Sequence, residues 1–164
     1  MLTLAVVSSG AMTTSVSVLV IDDEKLMMSV MTRILARLGY TDVDGASDTL
    51  TAIEKMREKR YGLVICDWIM EPISGYDMLR HVRTDLDLRH VPFIMATTET
   101  MMQKAVAAKS AGVSGYLIKP FSPGTLQRTI DAVLAPAGRA FAQAASSATA
   151  GHAPASNTRL WSHD

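Results

Sequence analysis

Short apolar runs and helical stripes alternate along this chain from about residue 16 to residue 135. Val16 to Ile21 (Val-Ser-Val-Leu-Val-Ile) is a β-branched run that stops at Asp22-Asp23-Glu24. From Lys25 the period changes. Met27, Val30, Met31, Ile34, Leu35 and Leu38 share the spacing of one helix face, and Gly39 follows as a stop. Tyr40 to Ala46 predicts a short polar strand at a sheet edge. Ser47 predicts the cap of a helix carrying Leu50, Ile53 and Met56, which ends in the solvated run Arg57-Glu58-Lys59-Arg60. Leu63-Val64-Ile65-Cys66 then runs straight into Asp67, and an apolar run bounded by turn signals fits a strand buried on both faces.

The same rhythm continues to residue 135. Ser74 opens a helix with Met78, Leu79 and Val82 facing inward. Val91 to Ala96 predicts a fourth strand with Pro92 near its start, ending at Thr97-Thr98-Glu99, and a helix over about 100–111 is stopped by Gly112. Val113 to Ile118 predicts a fifth strand that carries Tyr116 and ends at Lys119-Pro120-Phe121. Ser122-Pro123 is an N-cap with Pro in the first turn, followed by a stripe of Leu126, Ile130, Val133 and Leu134. Five strands alternating with five helices predict an α/β fold, a doubly wound parallel sheet with helices on both faces. Residues 16–135 are expected to form one domain, with a flexible N-terminal extension over 1–15. Residues 136–164 are expected to form a flexible Ala/Ser-rich tail whose one candidate anchor is Trp161.

Composition narrows the function classes. Lys plus Arg (16) balances Asp plus Glu (16), which argues against a nucleic-acid binder held by bulk basic charge. No run approaches the roughly 18 consecutive apolar residues of a membrane span. The mildly apolar Met1–Gly10 has no Lys or Arg before it, so no secretory signal is expected and a cytoplasmic location is. A single cysteine, Cys66, rules out an intramolecular disulfide and reads as a buried strand residue, while His81 and His90 read as surface residues.

Polar groups stand where the strands end: Asp22 and Asp23, Asp67, Thr97 and Lys119. In a parallel α/β sheet all of them lie at one edge, where such folds place their chemistry. Clustered carboxylates repel, by about 4 kcal/mol for a pair about 4 Å apart at an effective dielectric near 20. A hard divalent cation such as Mg²⁺ and the fixed charge of Lys119 are the two remedies. With both in place, Asp67 is suited to attack a phosphoryl group whose oxygens are neutralised by the cation, Lys119 and Thr97.

The ordered set Ile21-Asp22-Asp23, Cys66-Asp67, Ala96-Thr97 and Ile118-Lys119-Pro120-Phe121 resembles the receiver domain of two-component response regulators, nearest to the single-domain CheY type. The resemblance covers about residues 16–135 and implies the flavodoxin-like strand order 2-1-3-4-5. It implies that Asp67 accepts a phosphoryl group from a sensor histidine kinase, and that Asp22, Asp23, Asp67 and the backbone carbonyl of Ile69 hold Mg²⁺. Thr97 and Lys119 would bind the phosphoryl oxygens, with a cis Lys119-Pro120 bond, and Tyr116 would act as the aromatic switch partner of Thr97. Output would run through a face of helix four, strand five and helix five toward a downstream protein. Chemotaxis or motility is the expected setting, in a monomer or weak dimer without nucleic-acid or membrane partners. This sequence departs from the family pattern at Glu71, one residue more between Met70 and Pro72 than is commonest, and at Thr98, bulkier than usual. Ile69 and Glu99 occupy positions that in this family tune phosphoryl loss. The alternatives are a phosphorelay intermediate or phosphate sink, a Mg²⁺-dependent phosphohydrolase with an aspartyl-phosphate intermediate, and a receiver-shaped interaction domain that never sees phosphate.

Overall fold

The computed structural model describes residues 14–98 and 102–135. The strands are β1 (Val18–Ile21), β2 (Val43–Ala46), β3 (Leu63–Asp67), β4 (Phe93–Thr97) and β5 (Gly115–Ile118). They alternate with α1 (Lys25–Arg37), α2 (Thr49–Glu58), α3 (Gly75–Thr84), α4 (Met102–Ser110) and α5 (Pro123–Leu134). All pairings are parallel and the order is β2-β1-β3-β4-β5, as the resemblance implied.

Strand alternation builds two cores from one sheet. Leu63 and Ile65 pack with Val18, Val20, Ile94 and Leu117 against α1 and α5, where Met31, Leu35, Leu126 and Ile130 close the layer. Val64 and Cys66 point the other way, with Leu19, Ile21 and Met95, onto Ala52 and Met56 of α2 and Met78, Leu79 and Val82 of α3. Both faces being covered explains why β3 reads as continuously apolar rather than alternating.

Several boundaries differ from the sequence reading. β3 starts at Leu63 as expected, but the other four strands start two or three residues later, because Val16, Tyr40, Val91 and Val113 pack on the core without joining a ladder. Thr14 already engages the fold, its N–H donating to the Gly39 carbonyl (2.9 Å) beside a bridge to Tyr40. Asp48, not Ser47, caps α2, accepting from the Thr51 N–H at 2.8 Å. Leu50 is 59% exposed, Thr49 and Ala52 are buried on α2 beside Met56, and Val30 on α1 is 42% exposed rather than inward. Gly39 ends α1 at φ 94°, in the left-handed region expected of a helix stop. On edge strand β2, Lys59 Nζ bridges Asp42 (2.7 Å) and Asp44 (2.9 Å), while Tyr61 donates to Asp44 and Ser17 to Asp42. Residues 1–13 of the extension expected over 1–15, the tail over 136–164 with Trp161, and Glu99 lie outside the described residues.

Candidate functional site

Sheet register assembles the site. Ile21 pairs with Cys66, so Asp22 and Asp67 follow side by side at adjacent strand ends. Continuing the alternation, Asp22, Asp67 and Lys119 share one parity, that of Val20, Ile65 and Leu117. Thr97 shares the parity of Met95 and Tyr116 on the opposite side. One carboxylate oxygen each from Asp22, Asp23 and Asp67 lies within 4.8 Å of the others, with Asp22 buried and Asp23 exposed. Lys119 Nζ reaches into this group, 2.9 Å from Asp22 Oδ2 and 3.6 Å from Asp67 Oδ1. The other Asp22 oxygen accepts from the Glu24 N–H at 2.9 Å, fixing that carboxylate at both ends.

The electrostatic balance is incomplete. Burial pushes the Asp67 carboxyl above the ordinary carboxylate range, Asp22 pushes it the same way, and Lys119 only partly opposes them. The Asp67 backbone is held as tightly as its side chain. A Cβ on Gly75 would sit 1.9 Å from the Asp67 carbonyl oxygen, so the first turn of α3 seats directly on the end of β3. The Gly75 N–H donates to the Trp68 carbonyl (2.9 Å), and the Trp68 N–H to Ala96 on β4 (3.2 Å). Cys66 is buried beneath, and burial raises its thiol well above the usual value, which suits an inert core residue.

The model of the response regulator receiver domain matches residues 18–131. The chain belongs to the response regulator receiver family. It is 33% identical over 119 residues to the chemotaxis protein CheY-3 of Vibrio cholerae, covering 73% of this chain and 92% of that one. It is 34% identical over 116 residues to the chemotaxis protein CheY of Pseudomonas aeruginosa, covering 71% and 94%. Among solved structures, Vibrio cholerae CheY4 superposes with a TM-score of 0.68 at 33% identity, covering 73% of this chain and 98% of that one. A receiver is a phosphoacceptor signalling domain with a cognate histidine kinase and downstream targets, so the phosphohydrolase alternative falls.

Around the carboxylates, this receiver places its remaining candidate residues on β4, β5 and the loop after β3. Thr97 is fully buried at the end of β4, and its carbonyl accepts from the Lys119 N–H at 2.8 Å. Tyr116 is half-buried on β5, directly across from Met95. The Lys119-Pro120 bond is cis, and so is Glu71-Pro72 in the loop after β3. Ile69 is 53% exposed, and its backbone N–H favours the ionised form of Asp67. Glu71 and Thr98 are exposed. Among the described residues no helix is long and apolar enough to cross a membrane.

Sequence reasoning missed three features next to the site. Gly75 was legible only as part of a helix start, although a glycine right after the Ser74 cap hints at a close approach. Trp68 stacks on Tyr76 with ring centroids 5.1 Å apart, and Lys104 of α4 lies over the Trp68 ring at 5.6 Å. No local pattern pairs residues 68 and 104; only the fold brings them together.

Proposed function

We propose that this receiver accepts a phosphoryl group on Asp67 from the phosphohistidine of a sensor histidine kinase. An Asp67 oxygen attacks phosphorus in line as the bond to the donor imidazole breaks, and the departing imidazole takes up a proton. Lys119 and Thr97 receive the phosphoryl oxygens. The reading rests on one observation, the gathering of Asp22, Asp23 and Asp67 within 4.8 Å with Lys119 between two of them. These donors are all hard oxygens, and their charge exceeds what Lys119 offsets, a combination that fits Mg²⁺. Asp22, Asp23, Asp67 and the Ile69 carbonyl would hold it. When bound, the ion supplies positive charge for the carboxylates and for the incoming phosphoryl oxygens.

The phosphoryl charge then biases a two-state rearrangement, with Thr97 and Tyr116 as the switch pair and the α4–β5–α5 face as the output. That face carries exposed Val106 on α4, and exposed Ile118 lines a shallow depression of about 470 Å³ together with Tyr116, Pro120, Phe121, Thr125 and Thr129. Similarity to the two chemotaxis proteins favours a cytoplasmic chemotaxis or motility target. Incubation with a small phosphodonor and Mg²⁺, read by intact mass, tests the core of the proposal. Wild type should gain one phosphoryl group, and Asp67→Asn or chelation with EDTA should abolish it. An unmodified wild type, or equal labelling of Asp67→Asn, would overturn the assignment.

A further inference from the structure

Two polar contacts at opposite ends of helix α4, whose Ala108 is buried in between, differ in kind. At its C-terminal end Arg83 of α3 donates from Nε to the Gly112 carbonyl (2.7 Å). Its terminal nitrogens donate to the carbonyls of Arg89 (3.0 Å) and Val91 (2.7 Å) and to Ser114 Oγ (3.2 Å). Ser114 Oγ in turn accepts from the Phe93 N–H at 3.0 Å. One guanidinium therefore ties α3, the approach to β4 and the α4–β5 turn together, and burial among these neutral acceptors pulls it down to about 10. Gly112 turns at φ 88° against the Arg83 side chain. The turn after α4 is thus clamped by two of these bonds, to Gly112 and Ser114, while the other two anchor Arg83 to the approach to β4.

Nearer its other end, α4 reaches the site through Lys104 over Trp68. Trp68 directly follows Asp67, and stacking on Tyr76 and its backbone bonds to Ala96 and Gly75 hold it in place. A cation over an aromatic face is a weaker hold than a clamp of buried hydrogen bonds. An acyl phosphate on Asp67 carries about 1.5 to 2 negative charges where the free carboxylate carries one, a gain of about one charge on the residue next to Trp68. Charge attracts an ammonium more strongly than a ring quadrupole does, so the contact at Lys104 is the one that gives.

We propose that Lys104 on Trp68 is a latch holding the N-terminal half of α4 against the site, and that α4 turns about the Arg83 clamp when a phosphoryl group draws Lys104 off the ring. The proposal rests on Asp67 as the phosphoacceptor. Lys104 is a positioning residue that acts through Trp68, and phosphorylation itself does not need it.

The test uses the full chain carrying Trp161→Phe, which leaves Trp68 as the sole tryptophan of the two. Amide hydrogen exchange over α4, Trp68 emission and intact mass are followed before and after a small phosphodonor with Mg²⁺. In the parent protein, phosphorylation should speed exchange in the first half of α4 and change Trp68 emission, while the amides of residues 112–114 stay protected. Lys104→Gln should still gain the phosphoryl group, yet exchange about two- to five-fold faster in α4 beforehand, the effect expected of a partly exposed cation–π contact. It should show no further change on phosphorylation, and Lys104→Arg should restore the parent behaviour. Parent-like α4 exchange in Lys104→Gln overturns the latch, and loosening at residues 112–114 together with the rest of α4 overturns the pivot. A parent protein that gains no phosphoryl group overturns the assignment of Asp67 and the coupling with it, a result the mass reading separates from the other two.

Discussion

Replacing Gly75 with alanine puts a Cβ 1.9 Å from the Asp67 carbonyl oxygen, where real contacts of this kind stay beyond 3.0 Å. The end of β3 and the first turn of α3 must therefore separate by about 1 Å. Two opposing terms set the outcome. Alanine in a compatible helical position stabilises by about 0.4–1 kcal/mol through the unfolded chain. Against that, overpacking a seated contact costs about 1–3 kcal/mol, and stretching the 2.9 Å bond from the Gly75 N–H to the Trp68 carbonyl forfeits about 1 kcal/mol more. The clash wins, for a net loss of about 1–3 kcal/mol. Each kcal/mol lowers the melting temperature of a domain this size by about 4 °C. Urea denaturation should show a lower midpoint at unchanged slope, since the surface exposed on unfolding is the same. Mg²⁺ titration on Trp68 emission in the Trp161→Phe background should show weaker binding, because the displaced backbone carries Asp67. A midpoint equal to or above wild type would refute the reasoning, since it would mean that α3 does not seat on the Asp67 carbonyl.

Other expectations follow from the charges in the pocket. Lys119→Met leaves the buried Asp22 without its cation and should cost about 3 kcal/mol in the absence of metal. Saturating Mg²⁺ should narrow that gap, because a ligand that binds the folded state better in the variant stabilises it more. Equal melting temperatures of variant and wild type in EDTA would count against the pairing. Folded Asp67 holds its proton more readily than unfolded Asp67. Its contribution is therefore most favourable below the ordinary carboxylate value of 3.8 and is lost as pH rises through the raised folded value. Without Mg²⁺, Asp67→Asn should accordingly melt above wild type at neutral pH, with the difference shrinking as pH falls toward 3.8. Asp42, Asp44, Asp48 and Asp85, all shifted down by hydrogen bonds, slope the opposite way and are shared by both proteins, so the difference isolates Asp67. A constant difference from pH 7 to pH 4 would contradict this.

The order of elements was legible because short continuous apolar runs stop at Asp22, Asp67, Thr97 and Lys119 and stripes of period 3.6 lie between them. Those stops also marked the site, since parallel strands deliver their ends to one edge. Strand starts were less legible. Val16, Val91 and Val113 extend the apolar run yet stop short of the ladder, and hydrophobicity does not distinguish packing on a core from pairing in a sheet. At the start of α2, Ser47 and Asp48 are both competent caps, and the buried face runs through Thr49, Ala52 and Met56, leaving Leu50 outside it because small and polar residues give no hydrophobic signal. Arg83 and Lys104 were invisible for a different reason. Their partners lie 6 to 36 residues away, and a cation read alone looks like any solvated charge.

The Lys59 bridge along β2 has a bearing on how copies of this protein can meet. A sheet has two rims, and an unguarded rim invites a second chain to add a strand. Here the β2 rim carries Asp42 and Asp44, already satisfied by Lys59, Tyr61 and Ser17. A strand docking there would have to dehydrate those carboxylates or pull them from their cation. Self-association along that border is thereby discouraged.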